Sequence, residues 1–377
     1  MHIKAIRATL LKERVLWARE VETLVTIRSL EPTAGPPVHN KRMPWPGSVL
    51  VEIETDEGAV GVGLGGGGWP GAFCVEHYLA PLLLDENPLD TERLWETMYR
   101  ATYRHGQAGI MLMAISAFDL ALWDLKGRVL GQPVWQLLGG KAREQVPAYV
   151  TVRDATWAQA QGFCGVKLGG PYGPREGREG MRKNVAAIAG LRERVGPDFD
   201  LMIDCVGGWT VEYTFEMARM LAPYRIRFIE EPLLSHDVEG YARLRRSIDS
   251  TLIACGEHAY TRYNVRRLLQ AEAVDILQPD VRWTGGLSEM LKIIDLAAAY
   301  DIPVMPHRGG MAWSLHAIIA RPECPLAEGL VLTEEEASYS LFSGEPVPVH
   351  GMLSVSDEPG FGLTLQRERL ESLRGKL

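Results

Sequence analysis

The chain has few cysteines, no long apolar run and no block of basic residues. Its five cysteines among 377 residues are an odd number without close pairing, which argues against a disulfide scaffold or a zinc knuckle. No apolar run reaches the roughly 18 residues of a membrane span. The first residues, MHIKAIRATLLKER, lack the apolar stretch of a signal peptide. We therefore expect a cytoplasmic protein without a membrane partner.

The charge balance removes a further class of partner. The formal net charge is −8 and the pI is near 5.7, and no Lys/Arg block interrupts the sequence, so nucleic acid is not an expected partner. An anionic substrate would have to meet local cations. With 46% hydrophobic and 23% charged residues, a chain of this length can bury a large core and form more than one domain.

The first third of the chain combines strand and helix patterns. From Ile3 to about Leu64 the pattern is β-like, and SVLVEIETDEGAVGVG predicts an antiparallel hairpin around its DEG turn. Helical periodicity follows in AFCVEHYLAPLLL, in LDTERLWETMYRATY and in GIMLMAISAFDLALWDLKGRVLG. The apolar face of the third segment is broad enough to be buried.

From about Val146 short apolar runs alternate with amphipathic helices. The runs predict eight strands, at 148–151, 165–168, 201–204, 227–230, 252–255, 275–277, 303–306 and 328–332. Eight strands with parallel crossovers close into a barrel. The segment SGEPVPVHGMLSVSDEPGFGLTL after them is turn-rich and strand-like, which indicates that the tail leaves the barrel and returns to the N-terminal strands.

Five of these runs end in an ionisable residue, at intervals of 23 to 27 residues: Asp204, Glu230, Glu257, Asp280 and His307. Because the carboxyl ends of parallel barrel strands meet at one rim, the five side chains should converge there. The alternative is that the acids only end their strands and meet solvent.

Three carboxylates at one rim, without cysteine or histidine among them, favour Mg²⁺ over zinc. An ion held by Asp204, Glu230 and Glu257 could bind a substrate carboxylate and stabilise the enediolate that forms when the adjacent C–H loses its proton. His307 would be the base, and Asp280 on the neighbouring strand would orient its imidazole. Asp280 could instead be a helix-capping residue.

Two loops and one glycine motif need interpretation. The proline-rich segment 31–47 carries His39 and Arg42, which are candidate substrate contacts or exposed loop residues, and the loop 169–180 follows the second barrel strand. Both loops could cover the site or be solvated connectors. Gly61, Gly63 and Gly66 match G-x-G-x-x-G, but the hairpin context fails for a nucleotide fingerprint, so we interpret these glycines as close-packing positions.

Five blocks of sequence match a known family: LMIDCVGGW, RFIEEPL, CGEHAYTR, DILQPDVRWTGGL and PVMPHRGG. They resemble the corresponding blocks of the enolase superfamily, in its mandelate racemase-like subgroup, and within it the L-rhamnonate dehydratases. AISAFDLALWDLKGRVLGQPVWQLLGG and LAEGL add to the likeness, which covers about residue 45 to the C-terminus.

The resemblance implies an α/β protein, a (β/α)7β modified TIM barrel under an α+β capping domain built from both termini. We expect the cap at 1–125, the barrel at 126–345 and a returning segment at 346–377. It further implies a Mg²⁺-dependent hydro-lyase that converts an acid sugar into a 2-keto-3-deoxy acid, and a homo-oligomer. In this interpretation Glu328 hydrogen-bonds the developing enediolate; read without the family, Glu328 could equally be solvated.

The chain also departs from the family's pattern. Relatives that racemise carry a K-x-K pair, whereas GVKLGG has Lys167 followed by Gly169, which favours one-sided elimination. Lys167 is a candidate substrate contact, a second base or an electrostatic neighbour of the metal carboxylates. Arg308 stands where rhamnonate dehydratases have serine, and it could bind a second acidic group or a distal hydroxyl, or pair outward. An epimerase, racemase or cycloisomerase and a non-catalytic acid-sugar-binding homologue remain alternatives.

Overall fold

The computed structural model describes residues 1–11, 47–330 and 341–374. The first part begins with an antiparallel sheet, β1 (Ile3–Leu10), β2 (Val49–Thr55) and β3 (Val60–Gly65), in the order β1-β2-β3. This confirms the predicted hairpin, whose turn contains Gly58 at φ +84°, a conformation that glycine adopts without strain. The helices that follow are α1 (Gly68–Cys74), a π-helical turn (Val75–Leu79), α2 (Ala80–Leu83), α3 (Thr91–Thr102), α4 (Ile110–Leu130) and α5 (Val134–Leu137).

Helix α4 is the central helix of this first part. Almost every residue from Met111 to Leu125 is buried, because one face packs on the three-stranded sheet and others face α3 and the barrel. The sheet approaches α4 closely at Gly61 and Gly63, where a Cβ atom would lie within 2.3 Å of the Ala121 carbonyl oxygen and 2.1 Å of the Ala117 carbonyl oxygen. The glycines are therefore packing positions, as the sequence predicted.

The second part alternates strands and helices around a parallel sheet. Its elements are β4 (Val146–Thr151), α6 (Ala155–Ala160), β5 (Gly165–Gly169), α7 (Gly177–Val195), β6 (Asp200–Asp204), α8 (Val211–Leu221), β7 (Ile226–Glu230), α9 (Val238–Ser247), β8 (Leu252–Cys255), α10 (Thr261–Gln270), β9 (Ile276–Leu277), α11 (Leu287–Ala298), α12 (Ala312–Ala320) and β10 (Ala327–Gly329). The strand order is β10-β4-β5-β6-β7-β8-β9, with β10 parallel to β4. The predicted barrel is confirmed.

Two details of the strand prediction need correction. The run 303–306 does not form a full strand, since only Val304 makes a parallel bridge, to Leu277. Prolines at 303 and 306 explain this, because proline cannot donate to a strand ladder. The eighth strand ends at Gly329 within the described residues, and positions 331 and 332 of the predicted run lie outside them.

The C-terminal segment contacts both parts. Its short strands are β11 (Phe342–Ser343), β12 (Met352–Leu353) and β13 (Thr364–Leu365), followed by α13 (Arg367–Leu373). Strand β12 pairs with β4 of the barrel, whereas Arg374 pairs with Leu11 beside the N-terminal sheet. The tail therefore crosses the barrel before its end reaches the first part. Within the described residues, no helix is long and apolar enough to cross a membrane.

An apolar layer fills the barrel below its carboxyl rim. It is a buried cluster with a residue from every strand position except that of β5, namely Tyr149, Met202, Phe228, Ala254, Ile276, Met305 and Leu326, and the partly buried Cys164 before β5 packs against it. Side chains two residues apart on a strand point to the same face. The residues two positions further along, among them Asp204, Glu230, His307 and Glu328, therefore sit above this layer at the rim.

Candidate active site

Asp204 and Glu230 end neighbouring strands in register, because Asp204 of β6 pairs with Glu230 of β7. The ammonium of Lys167, on β5, is inserted between them. Its Nζ lies 2.6 Å from Glu230 Oε1 and 3.5 Å from Asp204 Oδ2. Lys167 is only 1% exposed, so its charge must be compensated within the site. The structure thus places Lys167 as an electrostatic neighbour of two predicted metal ligands.

Glu328, at the end of the barrel sheet, contacts the same ammonium. Its Oε1 lies 3.0 Å from Lys167 Nζ and accepts a hydrogen bond from the Thr151 hydroxyl at 2.7 Å. Its Oε2 accepts the backbone N–H of Arg308 at 2.8 Å. Burial opposes ionisation, but Lys167 and the other partners outweigh it and lower the pKa of Glu328 to about 2. In this state Glu328 is an acceptor, and donation to a substrate would require it to gain a proton.

The other buried carboxylates are less well compensated. Burial raises the pKa of Glu230 well above its usual value, and the charges of Asp204, Glu328 and Glu257 add to that effect. Burial and Glu257 likewise raise the pKa of Asp204, despite Lys167. Burial alone would lower the pKa of Lys167, but the surrounding carboxylates raise it well above its usual value. The cluster therefore has more negative charge than Lys167 neutralises.

A histidine and an aspartate form a dyad beside this cluster. His307 Nδ1 lies 2.9 Å from Asp280 Oδ2, and His307 Nε2 lies 3.2 Å from Glu257 Oε2. Burial alone would raise the pKa of Asp280, but Arg282, His307 and Arg308 hold it below its usual range. An ionised Asp280 accepts a hydrogen bond from the Nδ1–H, and Nε2 is then directed at Glu257 of the carboxylate cluster. Asp280 does not cap the next helix, α11, which begins at Leu287; its other oxygen accepts the backbone N–H of Arg282 in the turn that follows β9.

A second histidine–carboxylate pair stands next to the dyad, and the sequence analysis did not identify it. His258 Nδ1 lies 2.9 Å from Glu231 Oε2 and 3.3 Å from Glu257 Oε1. Burial opposes the charged imidazole, but Glu231 prevails and raises the pKa of His258 to about 9. The Trp283 ring lies between the two histidines, with centroids 5.4 Å from each. Glu231 directly follows the predicted ligand Glu230, and His258 directly follows the predicted ligand Glu257. This adjacency was the one feature of the sequence that could have pointed to the pair.

Two overlapping sets of side chains could provide the ligands of a metal ion. Among the described residues, Glu231, Glu257 and His258 form the group whose donor atoms all lie within 4.8 Å of one another. In that group, however, the cationic imidazole already compensates Glu231. The predicted set of Asp204, Glu230 and Glu257 offers only oxygen and retains uncompensated negative charge. The predicted set therefore fits a hard divalent cation such as Mg²⁺ better.

Several neighbours of the site came only from the structure. Gln278 Nε2 donates to Glu230 Oε2 at 2.7 Å, so both oxygens of that carboxylate are engaged. Gln278 directly follows β9 and precedes Asp280 by two positions. His39 and Arg42 lie outside the described residues, and so does the predicted loop 31–47 apart from Gly47.

The loop after β5 lines a cavity that the carboxylates of the cluster do not line. Together with the loops after β6 and β7 it lines this cavity, to which Arg175, Trp209, Leu233 and His236 contribute. The four carboxylates of the cluster are not among the lining residues. The half-buried Arg308 adopts a left-handed backbone with φ 52°, and through its N–H it fixes Glu328.

Comparison with known proteins identifies two domain families along the chain. Residues 30–139 match the mandelate racemase / muconate lactonizing enzyme N-terminal domain, and residues 151–369 match the enolase C-terminal domain-like family. Together the two matches cover most of the chain, and they follow its division into an N-terminal sheet with helices and a barrel.

Individual relatives carry more specific names. The chain is 42% identical over 328 residues to an L-rhamnonate dehydratase of Saccharopolyspora erythraea, covering 85% of this chain and 84% of that protein. A crystal structure of rhamnonate dehydratase from Gibberella zeae complexed with Mg matches with a TM-score of 0.90 and 37% identity, over 99% and 96% of the two chains. The 3,6-anhydro-D-galactonate cycloisomerase of Zobellia galactanivorans matches with a TM-score of 0.83 and 28% identity, over 100% of both.

Proposed function

Because the chain belongs to the mandelate racemase and muconate lactonizing enzyme family of the enolase superfamily, we propose that it is a Mg²⁺-dependent acid sugar dehydratase. It would remove water from an aldonate resembling L-rhamnonate and release a 2-keto-3-deoxy acid. The observation that carries this proposal is the His307–Asp280 dyad, whose second ring nitrogen, Nε2, lies 3.2 Å from Oε2 of the metal-donor candidate Glu257. The named relatives that dehydrate rhamnonate support it.

Asp204, Glu230 and Glu257 would hold the ion. When bound, Mg²⁺ supplies positive charge that draws electron density from the substrate carboxylate and acidifies the neighbouring C–H. The donor set suits this ion because it consists of hard oxygen ligands with uncompensated negative charge. Lys167 and Gln278 fix the orientation of Glu230 through hydrogen bonds of 2.6 and 2.7 Å.

The proton transfers belong to the dyad. His307 Nε2 takes the proton from the carbon next to the substrate carboxylate, while Asp280 holds Nδ1 and stabilises the imidazolium that forms. The C–O bond at the adjacent carbon then breaks, and the same imidazolium returns the proton to the departing hydroxyl as water. The resulting enol converts to the 2-keto acid. One histidine can serve both steps when the C–H bond that loses its proton and the C–O bond that breaks lie on the same face of the substrate as the imidazole.

The competing function is that of a racemase, epimerase or cycloisomerase, and the similarity to a cycloisomerase supports this alternative. Racemisation and epimerisation need a second base opposite His307. Lys167 is the nearest candidate by sequence, but its Nζ is buried and engaged with Glu230 and Glu328, so it has no free lone pair to accept a proton. This observation favours one-sided elimination.

A screen of aldonic acids with Mg²⁺ tests the proposal. The assay follows the release of 2-keto-3-deoxy acids, and NMR in D₂O follows deuterium at the α-carbon. We expect keto-acid release from at least one aldonate, abolished by EDTA. Deuterium uptake at the α-carbon without loss of water would favour the racemase or epimerase, and cyclisation without a net loss of water would favour the cycloisomerase. Binding of acid sugars without any turnover would favour the non-catalytic homologue.

A further inference from the structure

Arg282 is a buried cation directly beside the catalytic dyad. It follows Asp280 by two residues, and its side chain is 4% exposed. Its Nη2 lies 3.6 Å from Asp280 Oδ2, the same oxygen that faces His307 Nδ1 at 2.9 Å. Its backbone N–H also donates to Asp280 Oδ1 at 2.7 Å. One residue thus contacts both oxygens of the dyad carboxylate.

We infer that Arg282 is a positioning residue for the dyad, which holds Asp280 in the orientation that accepts the imidazole N–H of His307. The inference rests on the proposed function and adds a residue to it. Arg282 itself is not expected to touch the substrate, because its side chain is only 4% exposed.

The charge of Asp280 requires such a partner. The carboxylate is 1% exposed, and a buried carboxylate without a nearby cation is costly. His307 Nδ1 lies at hydrogen-bond distance from Asp280 Oδ2, and Arg282 places a positive charge 3.6 Å from the same oxygen. Arg282 is the largest of the influences that oppose burial at Asp280.

Arg282 keeps its charge despite burial. Burial lowers its pKa to about 10, with Asp280 opposing that change, so it is protonated at neutral pH. Glu345, from the C-terminal segment, interacts with it electrostatically from another element. Glu345 therefore adds to the effect of Asp280 in opposing the loss of the guanidinium charge.

A double-mutant cycle tests the inference. If Arg282 acts through Asp280, Arg282→Met should lower kcat by about ten-fold or more with KM within about two-fold, and Arg282→Lys should recover most of the loss. In an Asp280→Asn background, Arg282→Met should then cause less than about a two-fold further loss. An equal loss in both backgrounds, or an unchanged kcat in Arg282→Met, would overturn the inference.

Arg192→Met is the matched control for a purely structural arginine. Arg192 donates to the carbonyl oxygens of Gly196, Phe199 and Tyr224, remote from the dyad. Arg192→Met should lower the melting temperature. The kcat per folded molecule should equal that of the wild type. A kcat loss in Arg192→Met as large as in Arg282→Met would contradict a dyad-specific role.

A spectroscopic measurement separates failure of this inference from failure of the proposed function. With ¹⁵N-labelled histidine, the ring signals of His307 can be assigned by their loss in His307→Asn, with the buried His316 as an internal reference. Arg282→Met should shift the Nδ1 signal of His307 and leave the ring nitrogen signals of His316, whose Nδ1 accepts the Trp135 N–H, in place. An unchanged His307 signal would contradict the inference even if no aldonate were turned over.

Discussion

At the scale of single residues, His307 has the arrangement required of a general acid and base. One ring nitrogen is held by an ionised carboxylate, and the other faces the volume next to Glu257. General acid–base groups typically contribute about 10² to 10⁴ in rate. We therefore expect His307→Asn to lower kcat for water loss by at least about 10²-fold, measured by keto-acid release, with Mg²⁺ affinity nearly unchanged by calorimetry.

His236→Asn is the matched control for that substitution, because His236 is an exposed histidine on the loop after β7. It should retain wild-type kcat. If His307→Asn kept more than about a tenth of the wild-type kcat, a contribution of the size typical for such a base would be absent, and His307 would lose its assigned role.

The adjacent residues Glu230 and Glu231 offer a matched test of the metal donors. Glu230 belongs to the oxygen-only set, whereas Glu231 is paired with the cationic His258. We expect Glu230→Gln to weaken Mg²⁺ binding by at least about ten-fold, as even outer partners of metal sites can, and Glu231→Gln to change it by less than about three-fold. Calorimetric titration of the folded proteins measures both. The reverse order would assign the ion to Glu231, Glu257 and His258.

The sequence predicted the ionisable residues at the strand ends, the pairing of Asp280 with His307 and, as one alternative, Lys167 as a neighbour of the metal carboxylates, but not the full set of contacts. The strand period and the regular intervals are local properties, so Asp204, Glu230, Asp280 and His307 could be identified from them. The insertion of Lys167 among three carboxylates and the contact of His258 with Glu231 depend on how strands pack across the barrel. Such tertiary distances leave no periodic signal in a single sequence.

At the scale of elements, long periodic segments were predicted well and short irregular ones were not. Helix α4 is a long apolar segment, and strands β4 to β8 are apolar runs set between amphipathic helices. The run at 303–306 looked like a strand because it is apolar, yet its prolines leave one bridging residue. The pairing of β12 with β4 was not predicted, since two-residue strands carry no measurable period.

The contact between β3 and α4 gives a prediction at this scale. A Cβ at Gly63 would lie 2.1 Å from the Ala117 carbonyl oxygen and 2.5 Å from the Ala121 nitrogen, so the helix would have to move. Because overpacking typically costs about 1–3 kcal/mol and here meets backbone, Gly63→Ala should lower the melting temperature by several degrees, measured by calorimetry.

Gly190→Ala is its control. Gly190 lies within α7, where an added Cβ meets only the flexible Arg194 at 3.7 Å. Alanine is favoured over glycine in a helix by up to about 1 kcal/mol, so this variant should be equally or more stable. A Gly63→Ala protein as stable as Gly190→Ala would show that β3 and α4 are not tightly fitted.

At the scale of the whole molecule, the N-terminal helices fix the loop that follows Asp280. The Trp95 indole N–H donates to the Gly285 carbonyl oxygen at 2.6 Å, and the Ser116 hydroxyl accepts the Gly285 N–H at 2.9 Å. Asp119 of α4 accepts both the N–H and the hydroxyl of Ser288, at 2.9 and 2.6 Å. The first part of the chain thus positions the segment that carries Asp280 and Arg282.

Asp119 makes this contact sensitive to pH. It is fully buried, and burial, opposed by the Ser288 hydrogen bonds, raises its pKa to about 7. The unfolded carboxyl releases its proton near pH 4, whereas the folded one keeps it to about pH 7. The stability contributed by the protonated form is therefore complete below about pH 4 and is lost as the pH rises through about 7.

Asp119→Asn should remove that dependence, because an amide stays neutral at every pH. Between pH 5.5 and 8.5 we expect the stability of the variant relative to the wild type to rise by about 2 kcal/mol, measured as the change in the difference between their melting temperatures. Asp198→Asn, at a carboxylate that is 96% exposed, should show no such change. If the difference between Asp119→Asn and the wild type were constant across this range, Asp119 would be ionised in the folded protein at acidic pH, and the contact between α4 and α11 would be held by a buried charge.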